Sequence, residues 1–253
     1  MTGQTTAGAH PAGTITAADR ITPGTASARP LRACATIAGP LFVVAGLVQA
    51  LTRPGFNLTR NALSLLDDGS LGWIQATNFI VTGLLLIAAS AGLRRAISAG
   101  PGCRWAPRLL AIAGAGFIGG GIFHPDPSGG FPPGTPPGAS AISSWAGVLH
   151  QVSGSAAFLA LIVFCFVVAR RYRATGQRAT AVCSVAAGVL CAAGVATGGG
   201  PHGTLTLFIV VSIALLWASF TTAQLISSAT RSAPSPTAAG AAPVNRYSRC
   251  SMS

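Results

Sequence analysis

Residues 73–95 read WIQATNFIVTGLLLIAASAGLRR. The run from Trp73 to Leu93 is long and apolar enough to cross a membrane as one helix, because a hydrocarbon core about 30 Å thick takes ~20 helical residues. Tryptophan at one end and paired arginine at the other match the two membrane interfaces. Five further runs obey the same rule, at 33–51, 106–123, 145–169, 179–197 and 204–226. The prediction is an all-α fold, a polytopic six-helix transmembrane bundle over 32–227, with disordered tails at 1–31 and 228–253.

Composition agrees. Half of the 253 residues are hydrophobic and only 8% are charged, and the mean hydropathy of +0.58 is more than a water-exposed surface of this size could carry. A net charge of +12 raises nucleic acid as a partner. The positions of the charges argue against it. If the spans alternate, fourteen of the sixteen arginines share one side, and only Arg53 and Arg60 lie opposite, with Asp67, Asp68 and Asp126. Short basic connectors at helix ends are retained in the cytoplasm, so both termini are expected there, in an inner membrane. Attraction to anionic lipid is a second consequence, and membrane lipids are the expected partners. The absence of lysine beside so much alanine, glycine and arginine suggests a GC-rich bacterial source.

The tails are rich in Ala, Thr, Gly, Ser and Pro and cannot bury enough apolar surface to fold. No short apolar core follows a basic start, so residues 1–31 are not read as a signal peptide. Cys250-Ser251-Met252-Ser253 lacks the aliphatic middle of a prenylation box. Cys34, Cys103, Cys165, Cys183, Cys191 and Cys250 avoid the outer connectors and form no C-x-x-C pair, which suits small apolar filler. Trp73 and Arg94-Arg95 are echoed by Trp145 and Arg170-Arg171, and Gly119-Gly120-Gly121 with His124 by Gly198-Gly199-Gly200 with His202. That similarity fits a weak internal repeat or the shared grammar of membrane helices.

Polar residues within spans are the candidate site. Gln75, Asn78 and Thr82 fall at spacings of three and four, on one face of the second span's outward half. His150 lies early in the fourth span between Gly147 and Gly154. Such groups either bond across helices or line a wet outward pocket. The pocket would comprise Trp73, Gln75, Asn78, Thr82, His150 and Asp126. His124, His150 and His202 share one depth, and with Asp126 they supply enough nitrogen and oxygen for zinc. Two of these histidines could also hold haem, although no H-x-x-x-H or H-E-x-x-H spacing supports a metal. The connector after the third span, HPDPSGGFPPGTPPGASAISS over 124–144, should be an ordered or semi-extended cap, with Asp126 accepting backbone hydrogen bonds in a tight turn. Asp67 and Asp68 are expected near the positive end of the second helix.

The run Asn61-Ala62-Leu63-Ser64-Leu65 leading to Gly72-Trp73-Ile74-Gln75, together with Gly83-Leu84-Leu85, Gly121-Ile122-Phe123-His124-Pro125-Asp126-Pro127 and Gly147-Val148-Leu149-His150, resembles the bacterial membrane family called domain of unknown function 998. The likeness covers about 40–220. It implies six membrane helices, an element of the type Gly-x-Phe-x-x-Asp after the third and a histidine early in the fourth, and it assigns no substrate or reaction. On the matching residues, His150, Asp126 and Trp73 are the positions to test. The family pattern more often has proline after that Phe, where this chain has His124, which makes His124 a poorer shared-site candidate than His150.

The first functional reading is a multi-pass membrane protein that binds a lipid headgroup or small solute in an outward polar pocket. A metal-dependent lipid hydrolase using His124, His150, His202 and Asp126 is one alternative. A structural subunit, packed on a membrane-protein partner or on copies of itself, is another. Active transport is disfavoured, since no charge lies at mid-membrane and no ATP-binding motif is present.

Overall fold

The computed structural model describes residues 23–138, 143–198 and 202–231. Every expected span is a helix: α1 Pro23–Thr52, α2 Gly72–Ala96, α3 Trp105–Ile122, α4 Trp145–Ala174, α5 Arg178–Ala196 and α6 Gly203–Arg231. All six are long and apolar enough to cross a membrane. Among the described residues there is no named strand, and one short 3-10 turn, Leu63–Asp67, precedes α2.

Two boundaries differ from expectation. α1 begins at Pro23, so residues 23–31, expected in the disordered tail, are helical. Proline suits a first helical turn, where its missing N–H would have no partner. At the other end α6 continues to Arg231, past the expected limit of 227. The rest of both expected tails lies outside the described residues. Gly119-Gly120-Gly121 falls inside α3, whereas Gly198 follows the end of α5 and its two companions are outside the described residues.

Each helix packs on its neighbour in sequence, and α6 also packs on α1, closing the ring; α6 further touches α2 and α4. Lipid is as apolar as leucine, so association here depends on close fit rather than on removal from water. Glycines provide the fit. A Cβ on Gly114 would sit 2.6 Å from the Gly83 carbonyl oxygen, and one on Gly83 would collide with the Gly114 carbonyl. Seven residues along each helix, Gly121 meets the Ala76 carbonyl in the same way, so α2 and α3 run antiparallel with their backbones touching. The opposite face of α3 presents Gly116 and Gly119 to Ser153 and Ala157 of α4. α1 meets α6 through Gly39, whose N–H donates to Ser219 Oγ at 2.9 Å.

The interior holds Leu66, Phe117, Leu161, Phe164 and Leu215, all close to fully buried, while Val44, Leu84, Leu159, Val182 and Phe220 face outward. An apolar perimeter around an apolar interior suits a bilayer.

The two ends differ chemically. At the arginine end, Arg171 Nη1 donates to the Ala99 and Pro101 carbonyls at 3.0 and 3.1 Å, tying α4 to the α2–α3 connector. At the acidic end two connectors form a cap. Asn61 Nδ2 donates to the Gly129 carbonyl at 3.0 Å, and the Phe56 and Phe131 rings meet edge to face at 5.2 Å. Ser128 and Phe131 exchange backbone hydrogen bonds around Gly129 and Gly130, whose φ angles of +59° and +81° are readily adopted by glycine. Thr204 Oγ1 donates to the Leu58 carbonyl at 2.7 Å and fastens α6 to this cap. The expected ordered cap is present over 124–138 and 143–144; residues 139–142 are outside the described set.

Candidate functional site

A cavity of about 150 Å³ lies below the cap, bounded by α1, α2, α3, α4, α6 and the 3-10 turn. Phe42, Phe79, Phe117, Phe158 and Phe208 line it, and Ser64, Gln151 and Thr204 also reach it. Phe42, Phe79 and Phe117 pack on one another with ring centroids 5.1–6.0 Å apart. His150 is the imidazole on this wall. Its Nδ1 lies 2.7 Å from the Phe123 carbonyl and 3.1 Å from the Gly120 carbonyl. Carbonyl oxygens only accept, so Nδ1 carries hydrogen and the neutral ring keeps Nε2 as an acceptor. α3 ends where it does for the same reason: the histidine satisfies carbonyls that the helix terminus leaves over.

The expected polar face of α2 exists and turns elsewhere. Gln75, Asn78 and Thr82 are buried on one face. Gln49 Nε2 donates to Gln75 Oε1 at 2.8 Å, and Asn78 Nδ2 donates to the same oxygen at 3.3 Å and to the Phe42 carbonyl at 3.2 Å. Arg53 continues the file, reaching Gln49 Oε1 at 3.4 Å and the Leu71 carbonyl at 2.9 Å. Three atoms, Gln75 Nε2, Asn78 Oδ1 and Thr82 Oγ1, have no protein partner among the described residues. None of these three side chains lines the His150 cavity. Phe79, one position beyond Asn78, stands against His150 with centroids 6.2 Å apart.

The carboxylates belong to the cap. Asp126 Oδ2 accepts from the Ser143 and Ser144 N–H groups at 2.7 and 2.9 Å. It therefore closes the whole connector onto the start of α4 rather than a local turn, while Ser144 Oγ accepts from Gly147 N–H as the helix cap. These donors hold the Asp126 carboxyl down at about 2. Gly147 is required there, because a Cβ would run into the Asp126 carboxylate. Asp67 ends the 3-10 turn just before α2, with its backbone carbonyl against Gly72, the first residue of that helix. Its fully buried side chain meets His124 Nδ1 at 3.1 Å. Burial pushes its pKa up against the lowering influence of that imidazole. Burial likewise raises Asp68 to about 6, opposed by His124 and assisted by Asp126.

The six expected pocket residues are thus divided among four places. Trp73 is 64% exposed, on the outer face of α2 opposite Gln75, as an interfacial aromatic. Gln75, Asn78 and Thr82 face the bundle interior, His150 lines the cavity, and Asp126 anchors the cap. The three histidines expected as metal ligands have different partners. His150 binds backbone, His124 pairs with Asp67, and His202 is exposed at the start of α6 with φ +59°. Among the described residues no three His, Cys, Asp or Glu side chains form a metal-holding group.

Gln49 was the readable omission, a polar residue inside the first span, four positions before Arg53. The cavity phenylalanines gave no comparable signal. In a helix apolar on all sides, periodicity cannot separate an inward ring from a lipid-facing one.

No curated protein and no solved structure matches the chain. Residues 36–225, however, match the model of the family described as protein of unknown function (DUF998). With three quarters of its length accounted for in this way, the chain belongs to that family.

Proposed function

We propose that this is a multi-pass protein of a bacterial inner membrane, with both termini in the cytoplasm, and that it holds a lipid or small amphipathic solute in the cavity beside His150. Orientation is supported by the distribution of arginines, fourteen against two. The ligand reading is carried by one observation: a phenylalanine-walled cavity bears a histidine whose Nδ1 is already bonded to backbone. Apolar walls with one or two placed polar groups are the usual build of a small-molecule site. The apolar body of a guest would lie among the rings. Its hydroxyl or amide would donate to His150 Nε2.

Gly154 provides the test, since it lines the cavity and a Cβ there meets nothing within 4 Å. Gly154→Leu should fill the space without forcing the helices apart. Mass spectrometry of organic extracts from the purified wild type should find an enriched solute, and the variant should lose it by roughly tenfold or more while its thermal midpoint holds. Equal solute content in both proteins would remove the ligand reading.

A further inference from the structure

We propose a second site, at the arginine end, for a phosphate-bearing anion held between α1, α4 and α6. A cavity of about 480 Å³ opens there, lined among others by Arg32, Thr36, Tyr172, Gln177, Gln224 and Arg231. Arg32 and Arg231 bring two guanidinium groups to it from different helices. Arg32 spends one donor on Ser227 Oγ at 3.2 Å, which leaves most of its five N–H groups available for phosphate oxygens.

The second, independent observation is Tyr172. It is 2% exposed, it lines this cavity, and its hydroxyl has no hydrogen-bond partner among the described residues. A buried phenol without an acceptor is an unfavourable arrangement that an anion oxygen would correct. Charge balance points the same way, because the described carboxylates, Asp67, Asp68 and Asp126, all lie at the opposite end. A neighbouring cavity of about 580 Å³ shares Arg32 and adds Arg29 and Thr230, so the basic surface continues around α1.

The position is suited to a lipid headgroup. Arg231 is the last residue of α6 and Tyr172 lies in the final turn of α4, which sets the cavity at an interface. Ile37 and Phe220, about half exposed on the adjoining faces of α1 and α6, offer a path for acyl chains. Free phosphate shares the recognised chemistry, and the experiment separates the two sources.

Full-length protein would be exchanged into micelles containing equal phosphatidylglycerol and phosphatidylcholine, and retained lipid read by native mass spectrometry. Inorganic phosphate would be titrated separately by thermal shift. Phosphatidylglycerol should be retained about tenfold over phosphatidylcholine, and Arg32→Gln/Arg231→Gln should abolish that preference. Arg170→Gln/Arg173→Gln removes equal charge from the same end outside the cavity and should leave it largely intact. Tyr172→Phe, which deletes one oxygen, should weaken retention about fivefold and decides the matter if the double variant does not fold. Selectivity for the lipid without a phosphate shift identifies a headgroup site. A phosphate shift lost in the Arg32/Arg231 variant, without lipid selectivity, identifies a free-anion site. Neither effect, or equal loss in both double variants, overturns the proposal.

Discussion

Replacing Gly114 with leucine should unfold the α2–α3 contact and lower the thermal midpoint in detergent by roughly 6–12 °C, the shift expected for about 3 kcal/mol of overpacking in a chain of this size. The reason is the absence of anything that can yield. A Cβ at Gly114 would lie 2.6 Å from the Gly83 carbonyl oxygen and 2.8 Å from Ile87 Cγ1, and the first of these is backbone. The helices would have to separate along the whole seam, which includes Gly121 against the Ala76 carbonyl. Loss of that contact is not offset by lipid, since van der Waals fit is the main attraction between the two helices. Gly154→Leu is the matched control, having the same chemical change in the same bundle with open space around the new Cβ. Equal midpoints for Gly114→Leu and wild type would mean that the α2–α3 seam is looser than described.

Asp126→Ala should release the cap without unfolding the bundle. Ser143 and Ser144 would lose the carboxylate that accepts from both N–H groups, and their amide exchange should accelerate by about tenfold or more. The pH dependence follows from the sign of the shift. The Asp126 carboxyl is lowered to about 2 in the folded protein, so its contribution is present above its ordinary pKa of about 4 and is lost as pH falls from there toward 2. Asp68 acts in the other direction, its raised value of about 6 making the folded state less favourable as pH climbs from about 4 to 6. Wild-type amides at Ser143 and Ser144 should lose their protection as pH falls from 4 to 2, after correction for the intrinsic rate. The variant should show no such loss. A wild-type-like profile in Asp126→Ala would place the closure of the cap elsewhere.

The helices were legible because membrane insertion is a one-dimensional property, read from run length and flanking charge. Trp73, Arg94 and Arg95 bracket α2 almost at its true ends. The beginning of α1 was not legible, since residues 23–31, PGTASARPL, carry Arg29 and only one large apolar side chain, Leu31, a composition shared by disordered chain and by a helix emerging from the membrane. Within the site, the common face of Gln75, Asn78 and Thr82 was readable from helical spacing. Its partners were not, because Gln49 and the Phe42 carbonyl come from α1 and rotation about a helix axis is set by packing. The same limitation separated His150 from Gln75. The sequence places both in outward halves of their spans, and the intervening Phe79 sets them in different compartments. Asp126 bonds over a gap of 17 and 18 residues, a distance that proline-flanked turn chemistry cannot indicate.

The cap and the arginine end are expected on opposite sides of the membrane, the cap outside the cytoplasm and the arginines within it. The direct measurement is a reporter enzyme that is active only outside the cytoplasm, fused in one strain after Gly134 and in another after Gly176. Activity after Gly134 and none after Gly176 is the expected result. Activity after Gly176 with silence after Gly134 would contradict the account, turning the His150 cavity and its acidic cap toward the cytoplasm and the arginine cavity away from it.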